Sequence, residues 1–284
     1  MINNFALIIG AMKCGTTSIF NCLVQHPEIA GCRYKEPHFF SKAKNFAKGF
    51  DYYQSLWDQQ DYTHKIALEA TPGYTKVTHQ DSANAAANIA QVQREHKVEF
   101  KFIYVMRDPL ERIESHYLHN VLKGNEANLT AVSQIDQSII DTSKYAMQLD
   151  EYYQRFAADK ILLLDFAQFK IDPDQSLRQI CQFLNIDSSF QFNQVQKIHN
   201  GRQRLRFKLP LVNSLRRTQL AKSLRSAISE EQKYAFKSKF GSRKKVSFKL
   251  PEQLKAEITQ EIKPDLVRLQ ESYNFKSNSW KIEF

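Results

Sequence analysis

Cysteine is scarce in this chain, with four in 284 residues at positions 14, 22, 32 and 181. No two have the spacing of a metal site, and they form no disulfide framework. The expectation is a cytoplasmic protein with reduced thiols. Long apolar runs are missing as well. Residues 5–10 are the nearest approach, and they fall far short of the roughly 20 needed to span a bilayer. No basic region precedes that run and no small-residue cleavage site follows it, so neither a membrane span nor a signal peptide is expected. Linkers rich in proline or glycine, low-complexity tracts and internal repeats are all absent. One domain over residues 1–284 is therefore expected, long enough to bury a substantial core.

Acidic residues nearly vanish from one stretch. Between Arg202 and Lys245 there are fourteen Lys/Arg against only Glu230 and Glu231, in a chain of formal net charge +10. Such a segment attracts anions, polyanions or a membrane surface, and it also describes an ordinary solvated face. It carries no nucleic-acid motif, so no nucleic-acid partner is expected.

The patterning that is present alternates between two periods. Short apolar stretches at 5–9, 65–68, 100–106 and 161–166 read as buried strands, with a weaker one at 31–34. Helical patterns occupy 16–25, 52–57, 82–94, 109–122, 135–156 and 173–184. Asp172-Pro173 opens the last of these with a cap and a proline at the first helical position. Alternating strands and helices predict an α/β fold, with a central parallel sheet flanked by helices in three layers. Ligands of such sheets sit beyond the carboxyl ends of the strands. The informative residues are those just after each strand.

After the first strand comes Gly-Ala-Met-Lys-Cys-Gly-Thr-Thr-Ser, residues 10–18. A strand, a glycine loop and a helix N-terminus make an anion site, because outward-facing N–H groups carry partial positive charge. Thr16, Thr17 and Ser18 add hydroxyl donors and Lys13 adds a full charge. The ATP and GTP loop places its lysine directly after the second glycine. Here Lys13 lies two residues before Gly15, and no strand-end aspartate is suited to hold Mg²⁺. A plain glycine turn with a helix cap is the simpler alternative.

After the third long strand comes "RDPLERIESHY", residues 107–117. Arg107 can fork onto a phosphate, with Ser115 about two helical turns on. An ion pair from Arg107 to Asp108 or Glu111 explains the same residues more simply. Taken together, "KCGTTS" followed by "RDPxxRxxSxY" resembles the sulfotransferase family. "KEPHFF" (35–40), "LEATPGY" (68–74), "YAMQLDEYYQRF" (145–156) and "LLLDFAQFKIDPDQSLRQICQFLNI" (162–186) fall in matching order. That order is most similar to Golgi glycan sulfotransferases and their soluble bacterial relatives.

The resemblance implies a P-loop-like fold and a donor, 3′-phosphoadenosine 5′-phosphosulfate (PAPS), which leaves as 3′-phosphoadenosine 5′-phosphate (PAP), with no metal required. It implies a nucleotide-binding core at 1–195 and a basic region at 196–284 that completes the nucleotide and acceptor sites. Lys13, Cys14, Gly15, Thr16, Thr17 and Ser18 would hold the 5′-phosphosulfate, with Lys13 beside the leaving oxygen. Arg107 and Ser115 would hold the 3′-phosphate. Lys197, Asn200, Gly201 and Arg202, in "KIHNGRQR", would fold over the nucleotide. Glu36 matches the family's general base, and His38 is its competitor, since a histidine base is natural at neutral pH. Glu69, Thr71 and Tyr74 would line the acceptor cleft.

Relatives that act on heparan sulfate often carry lysine where this chain has Ala70. Its absence weakens the case for a heparan-like acceptor. A small hydroxylated or amino metabolite, such as a natural product, is the first expectation and an oligosaccharide the next. The competing readings are a P-loop nucleotide kinase or NTPase and a non-enzymatic polyanion-binding protein.

Overall fold

The structure is a computed structural model, and it describes residues 2–57, 63–79, 84–123, 135–193, 204–206, 243–245 and 248–282. Five strands form one parallel sheet: β1 (Asn4–Gly10), β2 (Ile29–Gly31), β3 (Ile66–Glu69), β4 (Glu99–Met106) and β5 (Ile161–Asp165). Their order is β2-β3-β1-β4-β5, with all four pairings parallel. β1 and β4 lie inside the sheet and are buried almost throughout. That accounts for the apolar runs at 5–9 and 102–106, because a parallel sheet covered on both faces leaves no polar face to alternate with.

Among the described residues the helices are, in chain order, α1 (Thr16–Leu23), α2 (Ala43–Phe46), α3 (Phe50–Gln54), α4 (Ala85–His96), α5 (Pro109–Lys123), α6 (Gln137–Asp141), α7 (Tyr145–Tyr153), α8 (Phe166–Ile171), α9 (Pro173–Leu184) and α10 (Glu252–Tyr273). The expected opening of α9 is observed: the Asp172 carboxylate accepts from Gln175 N at 2.9 Å and Pro173 follows. Buried aromatics fill the space beneath β1 and β4. The Phe5 ring lies 5.3 Å from Phe100, and Phe5, Phe50, Tyr53 and Trp57 pack together. Each such buried ring contributes about 1.5–3 kcal/mol by leaving water.

Three expectations need correction. The weak strand runs over Ile29–Gly31, not 31–34. The short helix near 52–57 lies earlier, at Phe50–Gln54. The helix expected over 135–156 is two helices, α6 and α7, separated at Thr142–Lys144. The break has a tertiary cause. Ser143 Oγ accepts from Arg112 Nε and donates to Pro109 O at 3.3 Å. The other end of the Arg112 guanidinium takes the Ile139 carbonyl. Both contacts tie the α6 end to α5, and a continuing helix would not supply them.

The long helix α10 had no counterpart in the sequence reading. Ile258, Ile262, Leu266 and Leu269 form its buried stripe. Asp265 on α10 accepts from the backbone N–H groups of Ala146 and Met147, at 2.9 and 2.8 Å. It therefore caps α7 from outside, supplying partners for orphan donors of its first turn. β6 (Arg204–Arg206) and β7 (Arg243–Lys245) pair antiparallel as a separate ribbon, with Arg204 opposite Lys245. The rest of the basic segment lies outside the described residues.

Candidate functional site

The loops after β1, β2, β3 and β4 meet at the carboxyl end of the sheet. The β1 loop is tightly constrained. A Cβ on Gly10 would run into Thr75 and the Tyr104 ring, and one on Gly15 would run into the Phe166 ring. Lys13 and Gly15 both adopt left-handed backbone, with φ 73° and 79°. Left-handed residues interleaved in a tight loop turn successive N–H groups to one side, as in backbone anion nests. α1 starts directly afterwards, with Gly15 as its N-cap. Ser18 N donates to Gly15 O at 2.9 Å. Thr16 is buried, whereas Thr17 is exposed and Lys13 and Ser18 are half-buried. Cys14 faces inward: its side chain is buried, its N–H donates to Ala11 O at 3.2 Å, and burial pushes its thiol up to about 11. It belongs to the frame of the loop.

This loop is joined to the β4 end. Ala11 N donates to Val105 O at 2.8 Å, and Arg112 Nη1 donates to Met12 O at 3.4 Å. Arg112, the second arginine of "RDPxxRxxSxY", is fully buried. No carboxylate pairs with it among its described contacts. Its other partners are Ser143 Oγ, the Ile139 carbonyl and His116 Nδ1 at 3.1 Å. Burial, with Arg112 next in weight, pushes His116 down to about 2, so the ring is neutral and its Nδ1 accepts. A buried cation bonded to the carbonyl that precedes Lys13 makes Arg112 a positioning residue for the loop. The sequence reading passed over it, although its place in the motif was the available signal.

Arg107 stands at the end of β4. Its carbonyl accepts from Tyr145 OH at 2.7 Å, and its guanidinium donates to Glu111 Oε2 from Nε (3.2 Å) and Nη2 (2.9 Å). Asp108, the strand-end carboxylate, is buried and already occupied. It accepts from Glu111 N at 2.9 Å and from Lys281 N at 2.8 Å. That use leaves it poorly placed as the Mg²⁺ ligand a kinase would need. Ser115 is half-buried two turns into α5.

On the acceptor side, Glu36 is exposed. Its Oε1 accepts from Lys35 Nζ at 2.6 Å, and its Oε2 lies 3.8 Å from His38 Nε2. Lys35 also donates to Ala70 O at 3.3 Å, which ties the β2 loop to the β3 loop. The His38 ring lies against Gly73, and His38 Nδ1 is 3.4 Å from Ser41 Oγ. Burial, then the nearby Lys42, holds the His38 pKa below its ordinary value.

Glu69, Thr71 and Tyr74 are brought together, but beneath this surface: their exposures are 0%, 0% and 1%. Glu69 accepts from Tyr53 OH (2.7 Å), Thr71 Oγ1 (2.5 Å) and Tyr74 OH (3.0 Å). Three hydroxyl donors favour its charged form, but burial outweighs them and raises its pKa from 4.5 to about 7. An acid whose folded value is raised contributes stability that is full below its unfolded pKa. That contribution is lost as pH rises through the folded value. Relative to Glu69→Gln, the parent is therefore expected to lose about 1–3 kcal/mol between pH 4.5 and 7.5. Thermal melts of both proteins across that range check this, and a flat difference curve would refute it.

Lys197, Asn200, Gly201 and Arg202 lie outside the described residues. No described helix is long and apolar enough to cross a membrane, and the four cysteines are free.

Residues 4–268 match the sulfotransferase domain family. Mouse heparan sulfate glucosamine 3-O-sulfotransferase 3B1 is 30% identical over 207 residues, covering 67% of this chain and 50% of the relative. Human heparan sulfate glucosamine 3-O-sulfotransferase 5 is 25% identical over 219 residues, covering 72% and 60%. The chain thus spans about half the length of the first of these relatives. In fold it is similar to a sulfotransferase from Alicyclobacillus acidocaldarius, with a TM-score of 0.65 at 20% identity and 99% of each chain covered. It is also similar to the sulfotransferase domain of the Synechococcus PCC 7002 olefin synthase, with a TM-score of 0.52 at 15% identity, covering 97% of this chain and 96% of that one. With the family match running from β1 into α10, the chain belongs to the sulfotransferase domain family.

Proposed function

We propose that this protein transfers a sulfuryl group from PAPS to a hydroxyl or amine on an oligosaccharide or small-molecule acceptor. The observation that carries this reading is the joining of the Lys13 loop to the Arg107 corner, through Ala11 N to Val105 O and Arg112 to Met12 O. Two cationic anion sites are thereby held at fixed separation on adjacent strands. The residues fit such a donor. Loop 10–18 contains one lysine, three hydroxyl residues and no acid. Its glycine cradle admits no side chain at position 10 or 15. Lys13, Thr16, Thr17 and Ser18 would hold the 5′ end, and Arg107 with Ser115 the 3′-phosphate. When bound, PAPS supplies the sulfuryl group and an anionic leaving group.

The chain's own residues supply the rest. Glu36 accepts the acceptor's proton at a carboxylate oxygen. Lys35 holds one oxygen of that carboxylate, and His38 stands beside the other. Glu69, Thr71 and Tyr74 act from below by fixing the 70–75 turn on which His38 rests. Lys13 offsets charge that develops on the departing oxygen, as fixed donors do at reacting centres. Two relatives are named for a glucosamine of heparan sulfate. This supports a sugar hydroxyl as one acceptor class, while Ala70 in place of lysine argues against strict likeness to that substrate.

The test is thermal stabilisation. Saturating PAP is expected to raise the melting temperature, with about 2.7 kcal/mol of added stability at a hundredfold excess over Kd. Stabilisation by Mg²⁺-ATP without any by PAP would point to a nucleotide kinase instead. Salt-steep DNA binding without PAP binding would point to a polyanion binder. A second variant checks the 3′ end. Arg107→Ala is expected to weaken PAP binding about 10- to 100-fold in calorimetry, the range for loss of a charge-assisted forked contact.

A further inference from the structure

The corner at the end of β4 carries more charge than one phosphate contact requires. Glu111, in the first turn of α5, takes two guanidinium hydrogen bonds from Arg107 on Oε2, while its Oε1 lies 3.5 Å from Lys281 Nζ. Arg107 and Lys170 both approach the Phe166 ring, at 5.9 and 5.3 Å from its centroid. Burial works to raise the Glu111 pKa, but Arg107, Lys170 and Lys281 outweigh it and keep the carboxyl ionised below its usual range. Lys281 is held in place by its own backbone, whose N–H donates to Asp108 Oδ2 at 2.8 Å, and by the adjacent buried Trp280, packed on Tyr145. Tyr145 in turn supports the Arg107 carbonyl. The fork that would grip a 3′-phosphate thus already holds an anion, and that anion has a second cation within reach of its other oxygen.

We propose that Glu111 is a resident competitor for Arg107: an arriving 3′-phosphate displaces it onto Lys281, so that it limits nucleotide affinity and speeds product release. This rests on the sulfotransferase reading above. The physical reason is that PAP keeps both phosphates of the donor. A bare Arg107 fork would bind donor and product equally, and such uniform binding does nothing for the chemical step while slowing turnover at release. A carboxylate that reclaims the fork offsets part of that grip. Lys281 makes the exchange cheap, because a half-buried carboxylate displaced from one cation finds another at once.

The experiment is calorimetry with PAP, and with adenosine 5′-phosphate as the control lacking the 3′ group, at one ionic strength. The proteins are the parent, Glu111→Gln, Lys281→Met and the double variant. Glu111→Gln is expected to tighten PAP about threefold to tenfold and to leave adenosine 5′-phosphate within about twofold. Lys281→Met is expected to weaken PAP in the parent, where displaced Glu111 loses its second partner. In the Glu111→Gln background it is expected to have little effect, where there is no carboxylate to receive. Unchanged or weaker PAP binding by Glu111→Gln would overturn the proposal and make Glu111 an aiming group for Arg107. An equal effect of Lys281→Met in both backgrounds would also overturn it, placing Lys281 on the phosphate itself. A parent that binds no PAP would instead remove the sulfotransferase reading, and this inference with it. Melts of the ligand-free variants separate these results from loss of fold.

Discussion

Glu36→Gln is expected to bind PAP as the parent does and to transfer sulfuryl groups about 10²–10⁴-fold more slowly, the usual range for a general base. Glutamine keeps the size of the side chain and can still accept from Lys35 through its oxygen. It cannot take up a proton. The prediction rests on where the carboxyl stands: at the surface of the β2 loop, with Lys35 at 2.6 Å on one oxygen and His38 at 3.8 Å from the other. His38 is the specific rival. Burial and Lys42 hold its pKa below the ordinary value, so at neutral pH the ring is uncharged and has a lone pair to offer. The two roles separate in a pair of variants measured at saturating donor. If Glu36 is the base, His38→Ala retains measurable turnover while Glu36→Gln loses it. Full activity in Glu36→Gln together with a dead His38→Ala would transfer the role to His38.

Lys13→Ala is the second large effect, expected at about 10²–10³-fold in turnover, the range for removing one donor aimed at developing charge. Its signature is the split between steps. A group that stabilises the departing oxygen acts more strongly on the transition state than on the bound nucleotide. PAP affinity should therefore fall far less than turnover does, the reverse of Arg107→Ala, where affinity carries the loss. Single-turnover rates beside PAP calorimetry distinguish the two. Equal losses in both measurements would reduce Lys13 to an ordinary phosphate contact. The substitution is structurally mild. Lys13 adopts φ 73°, a strain that alanine shares with lysine, and the fixed points of the loop are Gly10, Gly15 and Arg112.

Much of the fold was readable because its signals are local. β1 at 5–9 and β4 at 102–106 are apolar without a break, as parallel strands buried on both faces must be. The opening of α9 at Asp172-Pro173 announces itself through cap chemistry alone. The α6–α7 break was not readable in the same way, because the cause lies on α5. Arg112 claims Ser143 and the Ile139 carbonyl from a different helix. The stripe of α10 at 258, 262, 266 and 269 does carry helical spacing, yet polar and charged residues occupy most positions between and Pro264 interrupts it.

By itself the sequence determined the strand-end motifs, their order and the anion chemistry of the Lys13 loop, because glycine placement, helix starts and residue type are set by neighbours in the chain. Only the tertiary structure decided which of those residues face a ligand and which face the core. It turned Glu69, Thr71 and Tyr74 inward, placed Arg112 behind Met12 and gave Arg107 to Glu111. It also brought Lys281 from the far end of the chain to the β4 corner. Burial and the choice of partner for a charge depend on what packs from elsewhere in the chain, so a local pattern cannot encode them.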